Sequence, residues 1–230
     1  MSSSSLIYCL IHSNYHLKNF LIEENNSFSE EELYYLKNTL TENLIHNLVL
    51  AHQPESIIIF ILLNGQINYP KEESLNYFSN KVNIQYFNSK ESFLENLKTF
   101  SKFFFIYNDI MGLSPKDIKD SINLISSEDS SLVISKSEVN DICYIAFNKL
   151  DSNLIELISE SELNYDSFLS QVNTEDFFIH TVYGHFRVNS FSNFKLLYNR
   201  LSQKDSLDYC SQEMHEKFTN LFIEYRDYIK

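Results

Sequence analysis

Lys102–Asp117 reads K-F-F-F-I-Y-N-D-I-M-G-L-S-P-K-D, and its reading decides the fold. Phe103 to Tyr107 is an unbroken apolar run of strand length. A run with no polar alternation predicts a strand covered on both faces. Asn108 and Asp109 end it, and Gly112 allows a turn that a side chain would hinder. Ser114 then stands as an N-cap, Pro115 at the first helical position and Asp117 at the third, near the positive helix end, so a helix is predicted over 115–126. A polar residue at the carboxyl end of a central strand lies where open α/β sheets place their ligands. Asp109, with Asn108 beside it, is the first candidate for a chemical centre.

Strands and helices alternate outward from that stretch. Leu6–Ile11 reads as a first buried strand, and 12–26 as polar and irregular. Ser29 with Glu32 three residues later forms a capping box, and Leu33, Leu36, Leu40, Leu44 and Leu48 recur at helical spacing to about Ala51. Further strands are predicted over 56–63, 82–87, 131–135 and 142–147, with the last two either separate or one interrupted strand. Helices are predicted over 89–100, 151–159 and 165–172, with a short helical patch near 73–80. Residues 177–188 are β-rich. Ser190 caps a helix carrying Phe194, Leu197 and Leu201, and 206–230 reads as a terminal amphipathic helix. This order implies an α/β fold, with a mostly parallel central sheet and helices on both faces. The expectation is a single domain over 1–230, with 206–230 as an addition to it.

Composition removes several functions. The chain of 230 residues has three glycines, Gly65, Gly112 and Gly184, too few and too scattered for a phosphate-binding loop or a dinucleotide fingerprint. The formal net charge of −13, with no dense Lys/Arg run, argues against nucleic acid and anionic membrane as partners. Cys9, Cys143 and Cys210 are widely spaced and odd in number, forming neither a metal pattern nor a disulfide framework, which suits a reducing cytoplasm. The amino terminus, M-S-S-S-S, lacks the basic and apolar regions of a secretion signal, and no apolar run reaches membrane-spanning length.

Three local patterns resemble a known family. The first is Asn108-Asp109-Ile110-Met111-Gly112-Leu113-Ser114-Pro115. The second is Ser137–Phe147, S-E-V-N-D-I-C-Y-I-A-F, and the third is Arg187–Phe194, R-V-N-S-F-S-N-F. Over about residues 6–202 the chain resembles the radical-SAM/selenodomain-associated transferase-like family. These are glycosyltransferase-like proteins of the nucleotide-diphospho-sugar transferase superfamily, with the GT-A fold. The resemblance implies a nucleotide or nucleotide-sugar bound at the carboxyl edge of the sheet. It also implies a divalent metal, Mg²⁺ or Mn²⁺, held by Asp109 and by the residue at position 189. The departures carry equal information. Asn189 stands where the family has its second metal acid. The first loop, His12–Phe20, offers Lys18 as its only full cation for phosphate. Asn140-Asp141-Ile142 replaces a glycine-rich turn. The expectation is a retained fold with metal-dependent transfer weakened or lost. The alternative is a catalytically inactive relative serving as a binding or scaffold protein.

Each candidate has a plainer role. Asp109 could cap its turn by accepting backbone N–H bonds, and Asn189 could be a turn residue before Ser190. His180 and His185 on an extended segment point to opposite faces, so joint metal ligation would need a turn at Gly184. His12 and His16 could touch a phosphate or lie in a solvated loop. Cys143 reads as buried packing. Glu30, Glu31 and Glu32 need only the helix dipole. Met214, Phe218, Leu221, Phe222 and Tyr225 form a stripe docked on the domain, with a homodimer contact as its second role.

Overall fold

The computed structural model describes residues 6–12, 17–23, 26–51, 57–62, 83–86, 90–160, 164–172 and 174–229. The strands are β1 (Leu6–His12), β2 (Leu21–Glu23), β3 (Asn26–Ser27), β4 (Ile57–Leu62), β5 (Asn83–Tyr86), β6 (Lys102–Tyr107), β7 (Ile110–Met111), β8 (Ser131–Lys136), β9 (Ile142–Phe147), β10 (Phe178–Val182) and β11 (Phe186–Arg187). The α-helices are α1 (Glu30–Ala51), α2 (Lys90–Leu97), α3 (Pro115–Ser127), α4 (Ser152–Glu160), α5 (Tyr165–Gln171), α6 (Phe191–Leu201), α7 (Gln212–Glu224) and α8 (Arg226–Ile229).

Seven strands form one sheet in the order β10-β8-β9-β6-β1-β4-β5. Within it β9 alone runs against its neighbours, pairing antiparallel with β6 and β8, while the other pairings are parallel. The mostly parallel sheet read from the sequence is therefore present. β6 lies at its centre, and every residue from Phe103 to Tyr107 is buried. Side chains alternate across a strand. Phe104 and Ile106 accordingly join Leu44, Leu48, Ile118 and Ile122 on the face covered by α1 and α3. Phe103, Phe105 and Tyr107 join Phe93, Leu97, Leu154 and Phe168 on the face covered by α2, α4 and α5.

Local signals set the helix starts. The Ser29 amide donates to Glu32 Oε2 at 2.6 Å, and the Glu32 amide donates to Ser29 Oγ at 3.2 Å. The Ser114–Asp117 pair repeats this reciprocal capping at α3, with Pro115 in the first turn. Ser190 Oγ accepts from the Asn193 amide and starts α6.

Several expectations need correction. The described residues of 12–26 are more regular than their polarity suggested: Leu17–Phe20 is a 3₁₀ turn, and β2 pairs antiparallel with β3. The terminal helix does not open at Ser206. Lys204–Asp208 is a 3₁₀ turn, Ser211 caps α7, and the helix breaks at Tyr225 before the short α8. Of the two arrangements left open for 131–147, separate strands are present: β8 and β9 are joined through Asn140 at φ 70°. The expected helical patch at 73–80 lies outside the described residues. The apolar stripe on α7 is docked as expected: Met214, Phe218 and Phe222 pack with Phe28, Phe194 and Leu36 in a third cluster.

Candidate functional site at the carboxyl edge of the sheet

The turn after β6 brings a charge pair together inside the protein. Asp109 is fully buried, and Arg187 is 4% exposed. Arg187 Nε donates to Asp109 Oδ1 at 2.9 Å, and its Nη2 donates to Oδ2 at 3.0 Å. Such a fork uses both oxygens of the carboxylate and fixes the plane of both groups. The guanidinium also lies over the ring of Tyr107, 3.8 Å from its centroid.

The main chain fixes both partners. β7 pairs antiparallel with β11, with Ile110 opposite Arg187. The Val188 amide donates to the Asp109 carbonyl at 2.9 Å. Glycine makes this approach feasible. Gly112 has φ +86°, and a Cβ there would stand 2.9 Å from the Gly184 carbonyl oxygen. Gly184, at φ +102°, turns the chain between β10 and β11.

Asp141 completes the corner. It is half-buried just before β9. Burial pushes its carboxyl upward, Arg187 draws it down, Asp109 pushes it up again, and a hydrogen bond with Asn189 lowers it. Asp141 and Asn189 thus lie on the outer side of the buried pair. Asn189 Oδ1 also accepts from Asn193 Nδ2 at 2.9 Å.

A second polar chain runs beside this corner. Ser135 Oγ and His185 Nδ1 are 2.8 Å apart, and His185 Nε2 stands 3.8 Å from Asp117 Oδ2. Ser114 Oγ donates to the same Asp117 oxygen at 2.6 Å. Burial alone would raise the Asp117 carboxyl, but the nearby His185 and the hydrogen bonds from Ser114 prevail and bring it to about 2. This Ser–His–Asp sequence of contacts is no exposed nucleophile: Ser135 has no exposed surface.

The residues singled out in the sequence divide accordingly. Asp109 and Asn189 meet through Arg187 and Asp141. Asn108, fully buried, faces the other way: its Nδ2 donates to Thr41 Oγ1 at 3.0 Å and its amide to the Ile11 carbonyl at 2.9 Å. Lys18 is exposed on the 3₁₀ turn, and no contact among the described residues ties it to Asp109. His185 engages Ser135 and Asp117, whereas the buried Nε2 of His180 has no hydrogen-bond partner, so the two histidines share none. Cys143 is buried and its thiol is pushed well up by that burial, in keeping with packing. Arg187 and Asp141 were missed. The signal for Arg187 was present: one arginine inside the apolar run F-R-V needs a buried acid, and the acid ending the central strand supplies it.

A divalent metal needs open oxygen lone pairs and room for its remaining ligands, often waters. Asp109 has its two oxygens in the guanidinium fork and no exposed surface, and Asn189 is held by Asn193 and Asp141. As arranged, this corner does not fit a metal at Asp109. Among the described residues, no group of three or more His, Cys, Asp or Glu side chains could hold a metal ion. No described helix is long and apolar enough to cross a membrane. A separate groove of about 270 Å³ lies between α6, α7 and α8, lined in part by Tyr198, His215, Phe222 and Arg226.

No protein-family model matches the chain, and no curated protein matches it. Solved structures do. A Desulfovibrio desulfuricans G20 protein assigned as a nucleotide-diphospho-sugar transferase is similar over 98% of each chain, with TM-score 0.65 and 13% identity. A cytidylyltransferase from Leptospira borgpetersenii is similar over 98% of this chain and 96% of its own, with TM-score 0.53 and 13% identity. The 4-diphosphocytidyl-2C-methyl-D-erythritol synthase of Anaerococcus prevotii is similar over 87% of this chain and 97% of its own, with TM-score 0.51 and 13% identity. At such identities the likeness establishes the architecture: the chain has a nucleotide-diphospho-sugar transferase-like α/β fold.

Proposed function

We propose that the chain binds a nucleotide or nucleotide-sugar at the carboxyl edge of its sheet, as a transferase-like protein whose metal-dependent transfer is weakened or lost. One observation carries the reading. The turn Asn108–Asp109 leaves the central strand at this edge, and β7, β11 and segment 137–141 converge on it. Open α/β sheets take their ligands at this place. The names of the similar structures, a nucleotide-diphospho-sugar transferase and a cytidylyltransferase, support the ligand class. In this reading 1–230 is one domain of the radical-SAM/selenodomain-associated kind. Lys18 supplies a cation for phosphate, Asn108 fixes the turn against α1, and Asn189 orients Asp141 at the rim.

The second reading is an inactive relative that serves as a binding or scaffold protein. The buried Asp109–Arg187 fork favours it, because the acid that would ligate a metal is already neutralised. A thermal-shift panel of nucleotides and nucleotide-sugars separates the two, since a ligand that binds only the folded state raises the midpoint. A rise with one nucleotide class, diminished in Lys18→Ala, is expected. No rise with any nucleotide leaves the scaffold reading in place.

A further inference from the structure

We propose that Arg187 is the cation of this site. Its guanidinium, clamped by Asp109 and facing Asp141, takes the place of a divalent ion at the end of β6, so the edge binds its ligand without a metal. Only the ligand part of this statement rests on the nucleotide-binding reading; the cation part stands on the geometry of the corner.

Four observations support it. Both Asp109 oxygens accept from the guanidinium, at 2.9 and 3.0 Å, in a fully buried position. Arg187 lies on β11 and Asp109 immediately precedes its partner strand β7, with Ile110 opposite Arg187, and the Val188 amide bonded to the Asp109 carbonyl closes the corner. The clamp is thus built from the main chain on both sides. The face of Arg187 is covered by Tyr107, which favours a guanidinium. Finally, the charges already match a bound cation: Asp109 and Asp141 are the acids and Arg187 is the positive charge that acts on both. A divalent ion added here would face a buried cation at short range in low dielectric, where like charges repel strongly. It would also have to strip Asp109 from its partner.

The test uses Mn²⁺ alone as the probe, so it is independent of any nucleotide. Wild type, Arg187→Lys, Arg187→Ser and Arg187→Ser/Asp141→Asn are compared in Mn²⁺ and in EDTA. The readouts are the melting midpoint and bound Mn²⁺ by electron paramagnetic resonance. Wild type and Arg187→Lys are expected to melt at the same temperature in both buffers and to bind no stoichiometric Mn²⁺. Arg187→Ser is expected to melt several degrees lower in EDTA and to regain part of the loss in Mn²⁺. Asp141→Asn added to it should remove that rescue. Stoichiometric Mn²⁺ on the wild type, lost in Asp109→Asn, overturns the proposal. A folded Arg187→Ser protein indifferent to Mn²⁺ overturns it as well. Should Arg187→Ser not fold in either buffer, the wild-type Mn²⁺ titration decides alone. With nucleotides, the midpoint rise should be equal in Mn²⁺ and EDTA. A metal-dependent rise overturns the present inference, whereas no rise at all overturns the nucleotide reading and leaves the Mn²⁺ result untouched.

Discussion

Asp117 serves two structures at once. It closes the capping box of α3, and it faces His185, which lies in the turn before β11. Its carboxyl is brought down to about 2 in the folded protein, whereas an unfolded Asp titrates at ~3.9. The folded value is the lower one, so its stabilisation is complete above about pH 4 and is lost as pH falls toward 2. Asp117→Asn should lower stability at pH 7 by about 1 kcal/mol, the usual worth of a helix cap. Urea denaturation between pH 2 and pH 4 should show a shallower loss in the variant than in wild type. An equally steep loss would mean that another carboxylate governs the acid limb. The two glycines at the corner differ in a measurable way. Gly184→Ala meets no atom within 4 Å and suffers only its positive φ, while Gly112→Ala also meets the Gly184 carbonyl at 2.9 Å. Strained backbone of this kind costs about 1–3 kcal/mol. Gly112→Ala should therefore fall at the upper end or beyond, and Gly184→Ala at the lower, in the same denaturation assay.

Among the elements, the C-terminal segment is integral to the fold. Phe28 stacks on Tyr225 with centroids 4.2 Å apart and meets Phe194 edge-on at 5.0 Å. Asn43 and Asn47 on α1 both donate to the Tyr209 carbonyl, at 3.0 and 2.7 Å, and Asn47 also donates to the Leu113 carbonyl. These amides join α1, the turn before α3 and the approach to α7. Ending the chain at Ser211 would remove α7 and α8 and bare the side chains they cover, Phe28, Leu36 and Phe194 among them. At about 1.5–3 kcal/mol for each large side chain, that exceeds the stability of an ordinary domain. The truncated chain should lose its cooperative melting transition. Lys217→Met should be mild by comparison. Its ion pair with Glu42, at 2.6 Å, is partly solvated, and such pairs contribute up to about 1 kcal/mol. A truncated chain that melts cooperatively would show that the third cluster is dispensable.

At the scale of the whole molecule, most of the architecture was legible in the sequence. Phe103 to Tyr107 is an unbroken apolar and aromatic run of strand length, the pattern of a strand covered on both faces. The caps at Ser29, Ser114 and Ser190 placed three helices because each leaves a Ser three residues before its backbone donor. What escaped was non-local or weakly marked. The 206–230 helix was placed too early because Ser206 binds the carbonyls of Gln203 and Leu201 in a 3₁₀ turn, and the true cap, Ser211, carries no acid at its third following position. The candidate site was legible by place and not by partnership. Asp109 could be located from its own strand, but Arg187 lies far along the chain and meets it only through the β7–β11 pairing. Asn189 was read by its type; its neighbours Asp141 and Asn193 show where it is held. The surface as a whole carries a formal charge of −13, so self-repulsion opposes compaction. Raising salt from about 10 to 150 mM, which shortens the screening length from about 30 to 8 Å, should raise the melting midpoint.

β9 runs against its neighbours, and that orientation sets an order in time. β8 and β9 are joined by the short segment 137–141, and hairpins of this kind form within about 1–10 μs. β1 must find β6 across the intervening chain that carries α1 and α2, with Leu6 opposite Lys102, and it has to pay the closure entropy before any ladder bond repays it. Refolding should therefore start at 131–147, and the parallel half of the sheet should close last. Val133→Ala is then expected to slow refolding, while Ile7→Ala mainly speeds unfolding. Until β1 docks, β6 stands with one edge open. The stretch that specifies this fold is also the one most prone to aggregate while the fold is incomplete.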